Sequence, residues 1–155
     1  MEKLCFASHV REMAPRLHRI AYMILRNEAD CEDATQEALL RAWRRIHTLR
    51  DERYFETWLI RILINECKRL IARNAQARGG HVIGDTAYNP QSHVHDALNA
   101  LEATYRIPIV LHYVDGYSIN EIGKLLRVPA TTVKWRLHQG KKRLKAELTE
   151  KGAIT

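Results

Sequence analysis

Apolar side chains recur every three or four residues along most of this 155-residue chain, and this helical period limits the folds that it can adopt. The chain contains no sustained alternation of polar and apolar residues, and no Asn-Gly turn of the kind that closes a hairpin. The sequence therefore predicts an all-α fold.

One segment, residues 74–95, lacks any such period. It contains three of the seven glycines, a proline and many small polar side chains, which is a composition typical of a flexible linker. We therefore predict two small helical domains, residues 6–73 and residues 96–150, joined by the linker at residues 74–95.

The first domain is predicted to contain three helices. The first covers residues 16–25, after a shorter piece that ends before Pro15. The second is capped by Asp30 and runs to about His47, and the third covers residues 53–73. The third helix has a predicted core stripe of Phe55, Trp58, Leu59, Ile62, Leu63, Leu70 and Ile71, and an outward polar stripe of Arg61, Asn65, Lys68 and Arg69.

Two short helices are predicted at the start of the second domain, at residues 97–101 and 105–113. Pro108 is tolerated only near the start of its helix, where backbone N–H groups have no intrahelical partner. The second of these helices should therefore begin near Thr104.

A helix-turn-helix is predicted to follow, as the C-terminal part of the second domain. Ser118 caps a helix that ends at Leu126, and Pro129 suits the first residue of a helix that runs to about Leu148. Arg127 occupies the turn position that usually carries a left-handed glycine. The side chains predicted to face the core are Val133, Leu137, Gly140, Leu144 and Leu148. The outward residues, the candidates for DNA contact, are Thr131, Thr132, Lys134, Trp135, Arg136, His138, Gln139, Lys141 and Lys142.

The charge of the chain favours a polyanionic partner. Its formal net charge is +7, and residues 118–151 carry nine Lys and Arg against three Glu. Such cations gain free energy by displacing counterions from phosphates. An exposed Trp135 among those cations is not expected in a helical hairpin whose basic face is only solvated. Charge and motif together therefore indicate DNA binding.

Other classes of protein are disfavoured by what the sequence lacks. Cys5, Cys31 and Cys67 do not form a C-x-x-C motif, so we expect reduced thiols and neither a metal nor another cofactor. No phosphate-binding loop, H-E-x-x-H or G-x-S-x-G motif occurs, so we expect no catalytic residues. The chain has no apolar signal region and no run of eighteen apolar residues, which predicts a cytoplasmic protein without membrane insertion.

Three segments occur along the chain in this order: NEADCEDATQEALLRAWRRI, FETWLIRILINECKRLIAR and LEATYRIPIVLHYVDGYSINEIGKLLRVPATTVKWRLHQGKKRL. Together they resemble the extracytoplasmic-function (ECF) sigma factors of bacterial RNA polymerase over roughly residues 6–148. The resemblance implies a subunit that binds core RNA polymerase, double-stranded promoter DNA and a melted single strand, with an anti-sigma factor as a further partner. The alternative is a helix-turn-helix regulator that is not a polymerase subunit, which should carry an N-terminal ligand pocket or phosphoacceptor domain.

The resemblance also implies roles for individual residues. In the family, a D-x-x-Q-E helix docks on the clamp helices of the largest polymerase subunit, and the matching residues are Asp33, Gln36, Glu37, Leu40 and Arg41. Asn65 matches the asparagine that receives an extruded base of the downstream promoter element, and its companions at that element are Arg61, Lys68 and Arg69. The outward face of the C-terminal helix would read the upstream element.

The chain departs from the family pattern at three places. Its first recognisable helix lies close to the start, so an extra N-terminal helix common in the family is short or missing. Glu102 stands where relatives often have proline. Trp135 replaces a usually small residue on the reading helix, so the upstream promoter sequence cannot be transferred from relatives.

Overall fold

The computed structural model describes residues 3–77 and 92–150, and the regular elements in these two ranges are all helical. The chain divides into two compact units, Met1–Arg73 and Asn74–Thr155. The predicted all-α class with two helical domains is confirmed. The helices are α1 (Lys3–Leu25), α2 (Glu28–Arg45), α3 (Phe55–Ala77), α4 (Ser92–Ala100), α5 (Ala103–Ile109), α6 (Ile119–Leu126) and α7 (Ala130–Glu150).

The predicted linker overlaps helices at both of its ends. Helix α3 continues to Ala77 and α4 begins at Ser92, so residues 74–77 and 92–95 are helical. The remainder of the predicted linker, residues 78–91, lies outside the described residues.

Helix α1 runs through Pro15, where the sequence predicted a break. Proline removes one hydrogen bond to the carbonyl four residues earlier, here that of Arg11, an exposed residue at which water can bond the carbonyl. Phe6 and Met13, before the proline, are buried on the same helix face as Leu17 after it. Burial of this continuous apolar stripe offsets the lost hydrogen bond, so the helix is not interrupted.

Helix α2 begins three residues earlier than predicted, because Asn27 rather than Asp30 is its N-cap. Asn27 has an extended backbone, and its side chain accepts a hydrogen bond from the N–H of Asp30 at 3.0 Å. Both residue types are good caps, and Cys31 and Ala34 lie on the buried side of α2. The chain turns from α1 into α2 at Arg26, whose φ of 53° is left-handed.

Helix α3 contacts both other helices of the first unit, and its buried sector is therefore rotated from the predicted stripe. Its Phe55 ring lies 5.8 Å from that of Phe6 on α1, while Glu66 pairs with Arg41 on α2. The buried apolar residues of α3 are Phe55, Leu59, Ile60, Leu63, Ile64, Cys67 and Leu70. Trp58, Ile62 and Ile71, which were predicted to lie in the core, are only half-buried.

The end of α4 is capped by a buried arginine that the sequence did not single out. Arg106 on α5 is only 4% exposed. Its Nη1 donates to the carbonyls of Asn99 and Leu101, both at 3.3 Å. Carbonyls at a helix C-terminus lack intrahelical partners, and a guanidinium can donate hydrogen bonds to them.

Helix α5 begins at Ala103, one residue before the predicted start, and buries Pro108. After Ile109 the backbone widens into one π-helical turn, Val110–Val114. The N–H of Asp115 donates to the carbonyl of Val110 at 3.1 Å, a bond between residues five apart.

The predicted helix-turn-helix is formed by α6 and α7. The Ser118 side chain accepts the N–H of Glu121 at 3.1 Å, and the Glu121 carboxylate accepts the N–H of Ser118, which completes a capping box. Arg127 has the expected left-handed conformation, with φ 57° and ψ 45°. A Cβ at Gly123 would lie 2.9 Å from the carbonyl oxygen of Val128, so this position requires glycine.

Helix α7 starts at Ala130, one residue after Pro129. Val133, Leu137 and Gly140 are buried as predicted, whereas Leu144 and Leu148 are half-buried.

The three cysteines should differ sharply in reactivity. Cys31 and Cys67 are fully buried and Cys5 is exposed. Burial, with a smaller effect of the negative charge of Glu28, raises the pKa of the Cys31 thiol to about 11. Since the thiolate is the nucleophile, we expect iodoacetamide near neutral pH to alkylate Cys5 at least about 100-fold faster than Cys31 in the folded protein.

Peptide mass spectrometry over a time course measures this difference, and the urea-unfolded protein is the control in which all three thiols should react. Because the raised pKa favours the protonated thiol in the folded state, the stability that it contributes should be complete below the ordinary pKa of 9.0 and disappear as the pH rises through about 11. Equal labelling of Cys5 and Cys31 in folded protein would contradict the burial of Cys31.

Candidate functional site

Helix α2 buries small side chains and directs larger ones outward. Its buried residues are Cys31, Ala34, Ala38 and Ala42. On the opposite side, Gln36 is exposed and Leu40, one turn later, is 48% exposed. Trp43, a further turn along, is 39% exposed, with its ring centroid 5.2 Å from that of Phe6. We call Gln36, Leu40 and Trp43 the α2 face, and exposed apolar side chains beside a polar amide are typical of protein contact surfaces.

The charged residues predicted to act with this face lie on its flank and pair with other side chains of the first unit. Asp33 is exposed and lies 3.6 Å from Arg73 on α3. Glu37 is half-buried and lies 3.3 Å from Arg41. These contacts orient both carboxylates along the side of α2 that is next to α3.

Glu66 is a functional candidate that the sequence reading missed. Its side chain is 4% exposed, and its two oxygens form ion pairs with Arg41 of α2 at 2.6 Å and with Arg69 of α3 at 2.9 Å. The hydrogen bond and charge of Glu66 raise the pKa of Arg69. The signal was present in the helical spacing, because position 66 falls between the buried Leu63 and Leu70 on the core side of α3.

The outward face of α3 centres on Asn65. Asn65, Lys68 and Arg69 are exposed, and Arg61 is half-buried. Spacings of three and four residues place all of them around Asn65 on one side of the helix. We call Arg61, Asn65, Lys68 and Arg69 the α3 face.

Trp58 and Ile62 lie at the edge of the α3 face rather than in the core. Both are half-buried, and the Trp58 ring centroid is 6.0 Å from that of Phe55. A partly exposed indole offers a surface on which a base can stack. The α3 face therefore combines an amide, cations and an aromatic ring.

Helix α7 presents a long outward face opposite its buried stripe. Thr131, Trp135, His138 and Lys142 are exposed and recur every three or four residues along one side. Lys134 and Lys141 are exposed on one flank, while Thr132, Arg136 and Gln139 are half-buried on the other. Trp135 is 55% exposed, as the sequence predicted.

Tyr105 of α5 supports the base of this face. Its ring centroid lies 6.1 Å from that of Trp135 and 4.4 Å from the Arg143 guanidinium. Arg143 also lies 3.9 Å from Glu102. Cation–π and ion-pair contacts thus hold Arg143 beside the ring that underlies Trp135.

None of the helices in residues 3–77 and 92–150 is long and apolar enough to cross a membrane. Within the same ranges, no three His, Cys, Asp or Glu side chains are grouped so that they could hold a metal ion. The expected absence of a cofactor stays a prediction.

Two sequence families match the chain in order. The family described as Sigma-70 region 2 matches residues 9–77, and the family described as Sigma-70, region 4 matches residues 93–144.

Curated relatives match over almost the whole chain. The ECF RNA polymerase sigma factor SigW of Bacillus subtilis is 30% identical, and the match covers 94% of this chain and 89% of that protein. SigE of Mycolicibacterium smegmatis is 32% identical over 94% of this chain, which spans 62% of that protein's length.

Two solved structures are also similar. The sigma factor RpoE, solved in complex with the anti-sigma factor NepR from Bartonella quintana, has a TM-score of 0.79 at 24% identity and covers 93% of this chain and 96% of its own. CnrH, solved in complex with the cytosolic domain of CnrY, has a TM-score of 0.74 at 25% identity. The match covers 96% of this chain and 90% of the CnrH chain.

Proposed function

Since this chain belongs to the ECF family of RNA polymerase sigma factors, we propose that it directs promoter-specific transcription initiation through three separate faces. The observation that carries this proposal is the ordered match of both units, to Sigma-70 region 2 and to Sigma-70 region 4. The competing reading, a helix-turn-helix regulator that is not a polymerase subunit, accounts for the second unit alone.

The α2 face docks on core RNA polymerase. Leu40 and Trp43 are exposed although apolar. Their burial against a partner would remove apolar surface from water, which contributes favourable binding free energy that a charged surface does not supply. Asp33 and Glu37 add negative charge on the flank, where a basic partner helix is favoured. Arg41 contributes through two ion pairs, one with Glu66 that ties α2 to α3 and one with Glu37 on α2 itself.

The outward face of α7 reads the upstream promoter element in duplex DNA. A helix of this width fits the major groove, where side chains reach base edges. In this proposal, bases are contacted by Trp135, His138 and Gln139. Phosphates are contacted by Lys134, Arg136, Lys141 and Lys142, with Thr131 and Thr132 at the start of the helix.

The α3 face binds the melted strand of the downstream element. The Asn65 amide has both a donor and an acceptor for the edge of an extruded base. Trp58 at the edge of the face offers a stacking surface, while Arg61, Lys68 and Arg69 carry charge for the phosphates. Capture of a base outside the stack offsets part of the cost of unpairing it, which is a few kcal/mol.

The action of this protein is binding rather than catalysis, and it takes place in the cytoplasm, where core polymerase is found. An anti-sigma factor is a further partner in this proposal, because RpoE was solved in complex with the anti-sigma factor NepR and CnrH with the cytosolic domain of CnrY. Such a partner would act by covering one or more of the three faces.

Gln36→Ala combined with Leu40→Ala should weaken binding to core polymerase about tenfold, equivalent to 1.4 kcal/mol, because the change removes polar and apolar contacts from the centre of the α2 face. Fluorescence anisotropy with labelled protein measures the affinity. Glu12→Ala, an exposed change on α1, is the matched control and should bind normally. Unaltered affinity of the double variant, with helical content preserved, would remove the α2 face from the polymerase contact.

Trp135→Ser should change the preferred upstream sequence, whereas Lys141→Ala should weaken all sequences alike and reduce the slope of log K against log salt by about 0.9. The difference arises because phosphate contacts carry no direct sequence information. Selection from randomised duplex DNA, followed by salt titration, measures both effects. The assigned roles are wrong if Trp135→Ser selects the same sequence as the wild type, or if Lys141→Ala selects a different one.

Asn65→Ala should bind core polymerase and closed promoter nearly normally but lose most transcription from a duplex template, since the exposed amide has no part in folding. Activity should partly return on a template already unpaired at the downstream element. Permanganate footprinting of melted thymines gives the direct measurement. Melting at the wild-type level by the variant would show that Asn65 is an ordinary surface residue.

A further inference from the structure

A single buried carboxylate joins the two helices that carry the polymerase-binding and strand-binding faces. Glu66 lies on α3, and its Oε1 is 2.6 Å from Arg41 Nε on α2. Its other oxygen, Oε2, accepts a hydrogen bond from Arg69 Nε at 2.9 Å. Each oxygen of one carboxylate is therefore engaged by a different arginine.

This arrangement fixes the two guanidiniums more firmly than a surface ion pair would. Exposed ion pairs contribute little, because water competes for both charges. The Glu66 side chain is 4% exposed, so water has little access to it, and a buried carboxylate is tolerated only when its charge is paired. Arg69, which donates a hydrogen bond to Glu66, and Arg41, which is held by the ion pair alone, are therefore kept close to Glu66 in the folded unit.

The ion pair with Glu66 restricts the orientation in which Arg69 can contact a ligand. Its Nε edge is held by Glu66, but the side chain remains 47% exposed and lies one helical turn after Asn65. A guanidinium is planar and has five donors in a fixed fork. With the Nε side anchored inward, its orientation on the α3 face is restricted before any DNA binds, which lowers the entropy that binding would otherwise cost.

We propose that Glu66 is a positioning residue, which orients Arg69 toward a phosphate of the melted strand and anchors α3 to α2 through Arg41. This inference rests on the proposed function of the α3 face. A Glu66 that acted only in folding would lower the thermal stability of the unit without altering what Arg69 contributes to strand binding.

A double-mutant cycle between Glu66→Gln and Arg69→Ala tests the inference. The full-length protein is assembled with core polymerase, and the affinity for a labelled single strand of the downstream element is measured by anisotropy. In the wild-type background, Arg69→Ala should weaken binding about tenfold, as expected for one charge-assisted contact, and reduce the salt slope by about 0.7. In the Glu66→Gln background, Arg69→Ala should change the affinity less than about twofold.

Asn65→Ala is the matched control, because its contact does not depend on Glu66, and its effect should be the same in both backgrounds. If Glu66→Gln fails to fold by circular dichroism, Glu66→Asp keeps the charge but shortens the side chain by one methylene, and the same cycle applies with the same expectation.

The outcomes separate the two hypotheses. An equal effect of Arg69→Ala in both backgrounds overturns the positioning role of Glu66 and leaves the proposed function of the α3 face intact. If Arg69→Ala has no effect in the wild-type background, Arg69 does not contact a phosphate of the strand. Glu66 then has no cation to position, and the inference is wrong. A tenfold effect that disappears only when Glu66 is changed supports the inference.

Discussion

Close approach of helices at small side chains is the constraint on which the rest of this structure depends. In the first unit, α2 buries alanines and a cysteine, and its larger side chains lie outside this buried stripe. In the second unit, α7 packs closely on α5 at Gly140, where an added Cβ would lie 2.7 Å from Ile109 Cδ1 and 3.2 Å from Tyr105 Cβ, so the Ile109 side chain would have to move to accept it. Close packing leaves little freedom for the helices to shift. The α2, α3 and α7 faces are thus presented by helices whose positions are set by tight contacts within each unit.

Sequence reasoning succeeded where local chemistry determines the structure. The capping box at Ser118, the proline before α7 and the regular spacing of Val133 and Leu137 are local signals, and the helix-turn-helix formed where they indicated. Even the unfavourable left-handed arginine in the turn was predictable, because the motif needs that conformation whichever residue occupies it. The outward orientation of Trp135 followed from the same spacing.

Sequence reasoning failed where packing between helices overrides local preference. Pro15 would end an isolated helix, yet α1 continues because a single apolar stripe is buried on both sides of it. Asn27 and Asp30 are both good capping residues near the start of α2, and the sequence alone could not choose between them. The core stripe of α3 was misassigned because this helix contacts two neighbours. Glu66 was overlooked for a related reason: a charged residue in an apolar sector is expected only when its partners on another helix are known.

The distribution of paired charges suggests how the two units divide the work of finding a promoter. Three cations of the first unit, Arg41, Arg69 and Arg73, lie within ion-pair distance of Glu66 or Asp33, so their own fields are partly cancelled at long range. The strongly basic segment, residues 118–151, is in the second unit, where Lys134 and Lys142 are exposed on α7. Long-range attraction to duplex DNA should therefore be strong at this segment and weaken with salt. The paired Arg69 of the α3 face acts mainly at short distance, which suits a surface that must distinguish a melted strand from the excess of duplex around it.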